Sequence, residues 1–357
     1  MNFNGKNIAN STMRKTILHK ILYLCPENGK QRNDIENVVV VRVTHTPVFG
    51  TIARRNMDID RKRILTIINP ISGTGNKDRM PRLIDAVVDR DRYDVHIEFT
   101  QYPGHARELA SKATAAGIDI VVAIGGDGTV NETASALCGT ATALAIVPNG
   151  SGNGLARHLR VPANASRALQ VLDNGRLLKL DYCTANGRPF FCVCGMGFDA
   201  TVSQKFANEG TRGFITYIKT AIAEYMKYKP QHYRINIDGY EMDEKAFVVA
   251  CCNAAQYGNN AFIAPRATMQ DGLIDITVMH EFNFVDGPLL GVRLFSRTLL
   301  EDRHVTVYRG RRVVIERDRP GIMHIDGEPL EMPARVEIEN VPGGINILVP
   351  PSMGDDV

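Results

Sequence analysis

No apolar stretch of this 357-residue chain approaches the roughly 20 residues that a membrane-spanning helix needs. No apolar segment follows the early lysines as it would in a secretory signal. Among seven cysteines there is no CxxC pair, so the usual zinc and thiol-redox spacings are missing. Cys192 and Cys194 alternate and Cys251 and Cys252 adjoin, a pattern read as buried, reduced thiols in the cytoplasm. A net charge of +3 is too small to argue for nucleic acid, and basic residues are not interleaved with aromatic ones as on a stacking platform. There is no repeat and no low-complexity tract. What is present is ordinary globular composition, 44% hydrophobic and 23% charged, in a length that suggests about two domains.

The chain changes texture along its length. Residues 1–60 are polar and mixed apart from "NVVVVRV" at 37–43, and read as an N-terminal extension, disordered or dispensable; Met57 looks like a natural start. From Arg63, short apolar runs alternate with helical spacing. "ILTIIN", "YDVHIEFT", "DIVVAI" and "TALAIVP" read as strands. "MPRLIDAVVDR", "GHARELASKATAAG" and "VNETASALCG" read as helices. That alternation predicts a parallel sheet with right-handed crossovers over 61–178. Beyond it, Asn186-Gly187 and Asp238-Gly239 sit between alternating segments, the signal of tight hairpins. Short strands such as "HVTVYRG", "RVVIERD" and "RVEIENVPGGINILVP" follow, interrupted by a helical interval at 211–228. Residues 179–350 therefore read as a β-sandwich, with a last strand that could return to the first domain.

Three strand-to-helix turns carry the chemistry. "AIGGDGTVNE" (123–132) ends a buried strand in glycines around Asp127 and opens a helix. Glycines let backbone N–H groups approach a phosphate, and the helix N-terminus adds partial positive charge. Asp127 can orient a metal-bound phosphate, and Thr129 can cap the helix through its hydroxyl. "NPISGTGNK" (69–77) is a second small-residue turn, not a Walker A loop because Lys-Ser/Thr is absent; its amides and Asn69 would face a nucleotide. "PNGSGNGLARHL" (148–159) is the third. Each alone could be a plain structural turn; three on one sheet edge form a phosphate-binding floor.

In chain order, "NPISGTGN", "AIGGDGTVNE" and "VPNGSGNGLARHL" closely resemble the diacylglycerol kinase catalytic family, which includes diacylglycerol, sphingosine and ceramide kinases and bacterial relatives. The resemblance covers roughly residues 61–350. Thr100 before "GHARELA" and "GMGFDA" at 195–200 add to it. It implies an α/β nucleotide-binding domain, similar to NAD kinase and phosphofructokinase, plus a β-sandwich, with ATP between them. It implies ATP contacts at Asn69, Thr100, Gly125, Gly126, Asp127, Gly128, Thr129, Val130, Asn131 and Ser151, the last standing where the family usually has threonine. It also implies a lipid acceptor, Mg²⁺, and contact with a membrane surface.

"HIDGEPL" (324–330) places Asp326 and Glu328 around a glycine. Alone it reads equally as a hairpin turn; by the resemblance its D-G-E carries the general base at Glu328, with Asp127 in the catalytic metal network. "MQDGLIDI" (269–276) resembles a Mg²⁺ site using Asp271 with the carbonyls of Thr268 and Leu273, against the plainer reading of a turn. His105 and His158 read as helix-flanking histidines. The arginines of 308–319 read as a solvated strand face before an anionic-lipid site. Phe198, Phe206 and Tyr257 could line an acceptor pocket but read first as core. The rival functions are an NAD kinase, which shares the Gly-Gly-Asp-Gly-Thr turn, and a nucleotide sensor without catalysis. An edge strand could pair in a homodimer.

Overall fold

The computed structural model describes residues 38–42, 47–51, 61–73, 79–208, 223–225 and 227–353. The sequence expectations for the other residues up to 60, for residues 74–77, for most of the 211–228 helix and for the Phe206 side chain lie outside the described residues. The chain forms two compact units, Met1–Ile59 and Asp60–Val357. In the first, β1 (Val38–Arg42) pairs antiparallel with β2 (Pro47–Thr51).

The second unit begins as the alternation predicts. The order is β3 (Lys62–Ile68), α1 (Arg79–Val87), β4 (Tyr93–Phe99), α2 (His105–Ala115), β5 (Ile120–Gly125), α3 (Asp127–Leu137) and β6 (Ala143–Pro148). The strands pair in parallel in the order β4-β3-β5-β6. All six positions of β5 and of β6 are buried, which is why both read as unbroken apolar runs rather than alternating ones. Register sets the site. Ile68 lies opposite both Phe99 and Ile124, and Gly125 opposite Pro148. The carboxyl ends therefore finish level, and Asn69, Thr100, Gly126 and Asn149 leave the sheet along one edge. Backbone bonds tie them there: Asn69 N–H to the Ile124 carbonyl, Thr100 N–H to Ile68 and Asn149 N–H to Gly125, all at 2.7–2.9 Å.

Three short helices follow, α4 (Gly154–His158), α5 (Ala165–Leu169) and α6 (Val171–Asn174). Then come β7 (Arg176–Ala185), β8 (Arg188–Phe190), β9 (Val193–Gly197), α7 (Phe198–Asn208), β10 (Gln231–Ile237), β11 (Tyr240–Ala246), β12 (Val248–Cys252) and β13 (Ile274–Met279). The chain closes with α8 (Gly287–Ser296), β14 (Val305–Gly310), β15 (Arg312–Glu316), β16 (Gly321–Ile325), β17 (Glu328–Met332) and β18 (Arg335–Val349). Six strands form an antiparallel sheet, β14-β13-β12-β9-β16-β17. The facing layer is the antiparallel part of a ten-stranded sheet, β11-β10-β15-β18 with β7 and β8. Between them Phe190, Tyr233, Ile276, Val313 and Ile338 form an apolar core, as in a sandwich. The 15-residue β18 pairs with β15 at its start and, after an irregularity between Val341 and Ile345, touches β6 in parallel at Ile347. One sheet thus runs through both lobes.

The Asn-Gly and Asp-Gly signals are hairpins. Asn186-Gly187, Asp238-Gly239 and Asp326-Gly327 each take positive φ at both positions, the type I′ geometry that suits the right-handed twist of paired strands. Six described cysteines are free and five of them buried; burial holds thiols such as Cys192 and Cys252 well above their ordinary pKa, consistent with inert packing groups.

Candidate active site

The three glycine turns pack on one another, and this explains most of their glycines. A Cβ on Gly125 would lie 2.5 Å from the Thr129 hydroxyl, one on Gly150 2.6 Å from Gly126 Cα, and one on Gly152 2.6 Å from Asp127 Oδ2. Gly128 differs. It sits in the first turn of α3, and a Cβ there would meet nothing within 4 Å. Packing does not require it.

The side chains join the turns. Asn69 Nδ2 donates to Thr129 Oγ1 at 2.9 Å, and Asn69 Oδ1 accepts the Ile71 N–H. Thr129 therefore does not cap α3 as expected. The N-cap is Gly126, without a side-chain cap, so Thr129 lies inside the first turn and its hydroxyl accepts from Asn69. Asp127 occupies the first helical position, where the dipole favours a carboxylate. Its Oδ2 accepts the Asn153 N–H at 2.9 Å and its Oδ1 the Gly154 N–H at 2.6 Å, so the turn at 123–132 holds the one at 148–159. Burial nevertheless raises the Asp127 pKa, with those amides and the nearby Arg157 pulling the other way. Thr100 follows β4 on the same edge, half-buried, and Ser151 is exposed.

The second lobe reaches this edge through the D-G-E hairpin. Asp326 Oδ1 accepts the N–H groups of Cys192 and Val193 at 2.8 and 3.1 Å; its Oδ2 accepts Phe191 N–H at 2.9 Å and Asn131 Nδ2 at 2.8 Å. Burial raises the Asp326 pKa despite these donors. Asp127, Val130, Asn131, Leu155, Phe191, Cys192 and Asp326 line one small cavity. Neither carboxylate has an ion-pair partner within 4 Å among the described residues. Glu328, the first residue of β17, is exposed and makes no side-chain hydrogen bond or ion pair among the described residues. The hairpin reading and the site reading of this stretch are thus compatible: the turn that reverses the chain also presses Asp326 into the cavity and leaves Glu328 open.

Sequence reasoning missed two residues here. The sequence marks Asp326 only as a turn residue; its bonds to Phe191, Cys192, Val193 and Asn131, the last 195 residues distant, bring it into the site. Glu132 accepts the N–H groups of Gly104 and Ala106 at 2.8 and 3.2 Å, satisfying the free donors at the start of α2. No local pattern pairs those positions.

Other candidates fall elsewhere. Asp271 Oδ1 accepts the Leu273 N–H and Oδ2 receives Arg309, while the Leu273 carbonyl accepts Asn340 Nδ2 at 3.1 Å. Among the described residues no group of three His, Cys, Asp or Glu could hold a metal. Three of the five arginines of 308–319 are engaged: Arg309 with Asp271 and Asp275, Arg312 with Glu337 and Glu339, and Arg317 with four backbone carbonyls. Phe198 packs in an aromatic cluster with Tyr225, Tyr228 and Phe247. His105 accepts the Gln101 N–H and stacks on Tyr102, as a helix-flanking residue does.

His158 accepts the Ala255 N–H through Nδ1, and its buried Nε2 has no partner. Burial, with Arg160 and Arg297 nearby, lowers its pKa from 6.5 to about 4. The folded state therefore binds fewer protons than the unfolded chain between those values. Stability from this group is complete above pH 6.5 and lost as the pH falls toward 4, to the extent of about 3 kcal/mol. In urea unfolding across that range, His158→Asn, which keeps an acceptor for Ala255, is expected to flatten the pH dependence. An unchanged slope would assign it to other groups.

A glycine-floored α/β lobe meeting an antiparallel sandwich at two half-buried carboxylates, Asp127 and Asp326, defines a two-lobed kinase fold. Residues 63–185 match the model of the diacylglycerol kinase catalytic domain, and residues 192–349 that of the YegS C-terminal NAD kinase beta sandwich-like domain. A diacylglycerol kinase of Mycobacterium tuberculosis is 30% identical over 299 residues, 81% of this chain and 95% of that one. A Salmonella arizonae protein named "Probable lipid kinase YegS" is 26% identical, over 72% and 87% of the two chains. The fold matches the crystal structure of a diacylglycerol kinase from Bacillus anthracis with a TM-score of 0.64 at 22% identity, over 82% of this chain and 98% of that one. The chain belongs to the diacylglycerol kinase family of lipid kinases. No helix among the described residues is long and apolar enough to cross a membrane.

Proposed function

We propose that the protein transfers the γ-phosphoryl group of ATP to a lipid hydroxyl, that of a diacylglycerol or a sphingoid base. The observation that carries this reading is the Asn131–Asp326 hydrogen bond, which sets the D-G-E turn of one lobe against the glycine turn of the other. In this reading residues 61–178 bind nucleotide and residues 179–350 receive the acceptor. The phosphates lie over Gly126, Gly128 and the α3 N-terminus, whose free amides face the sheet edge. Asn69 acts through Thr129, which it orients.

Mg²⁺ fits beside Asp127 better than at Asp271. Asp127 is a half-buried carboxylate without a paired cation among the described residues, and hard oxygen donors suit this ion. At Asp271 the guanidinium of Arg309 already supplies positive charge. When bound, Mg²⁺ would neutralise charge on the phosphates. The acceptor oxygen forms its bond to Pγ as the bond from Pγ to the β–γ bridging oxygen breaks and ADP leaves. Glu328, open and unpaired, takes the hydroxyl proton. Transfer comes late in a loose transition state, so an ordinary carboxylate serves. Contact with a membrane surface belongs to the same reading and is supported by exposed Phe284, Val285, Leu289 and Val292 on and before α8.

Labelled ATP offered with diacylglycerol, sphingosine, dihydrosphingosine, ceramide or NAD tests this. A labelled lipid is expected, and labelled NADP in its place would move the assignment to NAD kinase. ATP binding with no product from any acceptor would favour a sensor. Gly128 gives a second test. Alanine there improves helix propensity by up to about 1 kcal/mol and meets no protein atom. Gly128→Ala is expected to raise the urea midpoint while weakening ATP several-fold. Unchanged ATP affinity would remove the phosphates from this amide.

A further inference from the structure

Behind the D-G-E turn lies a buried polar group outside the three glycine motifs. His324, on β16, is 1% exposed. Its Nε2 lies 3.0 Å from Asp199 Oδ2. Asp199 stands in the first turn of α7, is buried itself, and also accepts the Tyr257 hydroxyl at 2.9 Å and the Ala200 N–H at 2.7 Å. The Tyr257 ring meets the imidazole edge-on, with centroids 5.6 Å apart. The strand beneath makes room. Gly195 is the β9 partner of His324, and a Cβ there would overlap Asp199 Oδ2 and lie 2.6 Å from His324 Nε2. On the other side of the ring, Nδ1 accepts the N–H of Gly327 at 3.4 Å, the central residue of the D-G-E turn.

The geometry points to His324 as a positioning residue for that turn, held in one tautomer by Asp199. Because Gly327 offers a donor, Nδ1 must be the bare nitrogen. Nε2 then carries the proton toward the carboxylate, so the two hydrogen bonds assign the tautomer together. The opposite tautomer would set N–H against N–H at Gly327. The ring thereby fixes the turn whose first residue fills the cavity and whose last is Glu328. This deepens the proposed kinase reading and rests on it: the consequence is on the rate of transfer, because ATP lies against the other lobe.

The imidazole ¹⁵N spectrum of the full-length protein, assigned by the signal lost in His324→Asn, tests the bond without any enzymatic assay. An Nε2–H tautomer with Nδ1 as acceptor is expected; an Nδ1–H or a doubly protonated ring overturns the proposal. Lipid phosphorylation by two variants gives the second reading. His324→Asn places an acceptor oxygen near the Nδ1 position and is expected to keep most of kcat. His324→Leu offers none and is expected to lose about tenfold in kcat, the worth of one hydrogen bond, with KM for ATP unchanged. Equal kcat values, equal losses, or a loss expressed in the KM for ATP overturns it. If the leucine variant does not fold, the spectrum decides. If the wild-type protein phosphorylates no lipid, the kinase reading fails while the spectrum still reads the His324–Gly327 bond.

Discussion

Glu328→Gln is expected to lower kcat for lipid phosphorylation by about 10²–10⁴-fold, the usual range for a general base, while leaving the KM for ATP and the urea midpoint unchanged. The separation follows from where Glu328 stands. Its side chain is exposed and bonds to none of the described residues, so glutamine of the same shape removes no packing and strands no buried donor. Surface changes of that kind stay within about ±0.5 kcal/mol. What is lost is the group that takes the hydroxyl proton. A loose transition state asks little of the base until late, which places the expected loss toward the lower end. Steady-state kinetics with the preferred lipid, alongside urea unfolding, checks it. Wild-type turnover in this variant would remove Glu328 from the base role. A loss confined to the KM for ATP would place it in nucleotide binding instead.

Asp326→Asn is expected to damage both stability and activity. The backbone is not the reason: Asp326 has φ 48, and asparagine tolerates the left-handed region as well as aspartate does. The side chain is. Each carboxylate oxygen accepts two N–H donors. In either orientation an amide turns its NH₂ toward two of them, leaving buried donors facing donors. At roughly 1–3 kcal/mol for each unsatisfied group, the loss should reach about 2–5 kcal/mol in urea unfolding. Transfer should fall at least as far as in Glu328→Gln, because the turn that places Glu328 loses its tie to Asn131. Full activity with reduced stability would make Asp326 a structural anchor alone. Unchanged stability would contradict the four-donor geometry.

The local grammar of the chain was legible because local physics writes it. Buried strands of β5 and β6 show as apolar runs, hairpins at Asn186-Gly187 and Asp238-Gly239 as residues that tolerate positive φ, and the glycine turns as small residues between strand and helix. These determined the fold class and, by their order, the family. The glycines themselves were legible only as glycines. Their reasons differ: Gly125, Gly150 and Gly152 make room for neighbouring turns, whereas packing does not require Gly128. A sequence does not display what lies opposite a missing Cβ. The same limit hid the Thr129–Asn69 bond behind an expected helix cap, and hid the ion pair of Asp271 with Arg309.

By itself, then, the sequence determined that strands alternating with helices precede a β-rich lobe, that three glycine turns share a sheet edge, and that a D-G-E hairpin exists. Only the tertiary structure decided that this hairpin meets the glycine turn, that Asp326 is the carboxylate drawn inward, that His324 stands behind it, and that β18 carries one sheet through both lobes. Periodicity and turn chemistry act over a few residues and leave their mark in composition. The pairing of Asn131 with Asp326 joins groups far apart in the chain, and its geometry exists only once both lobes have folded around their cores.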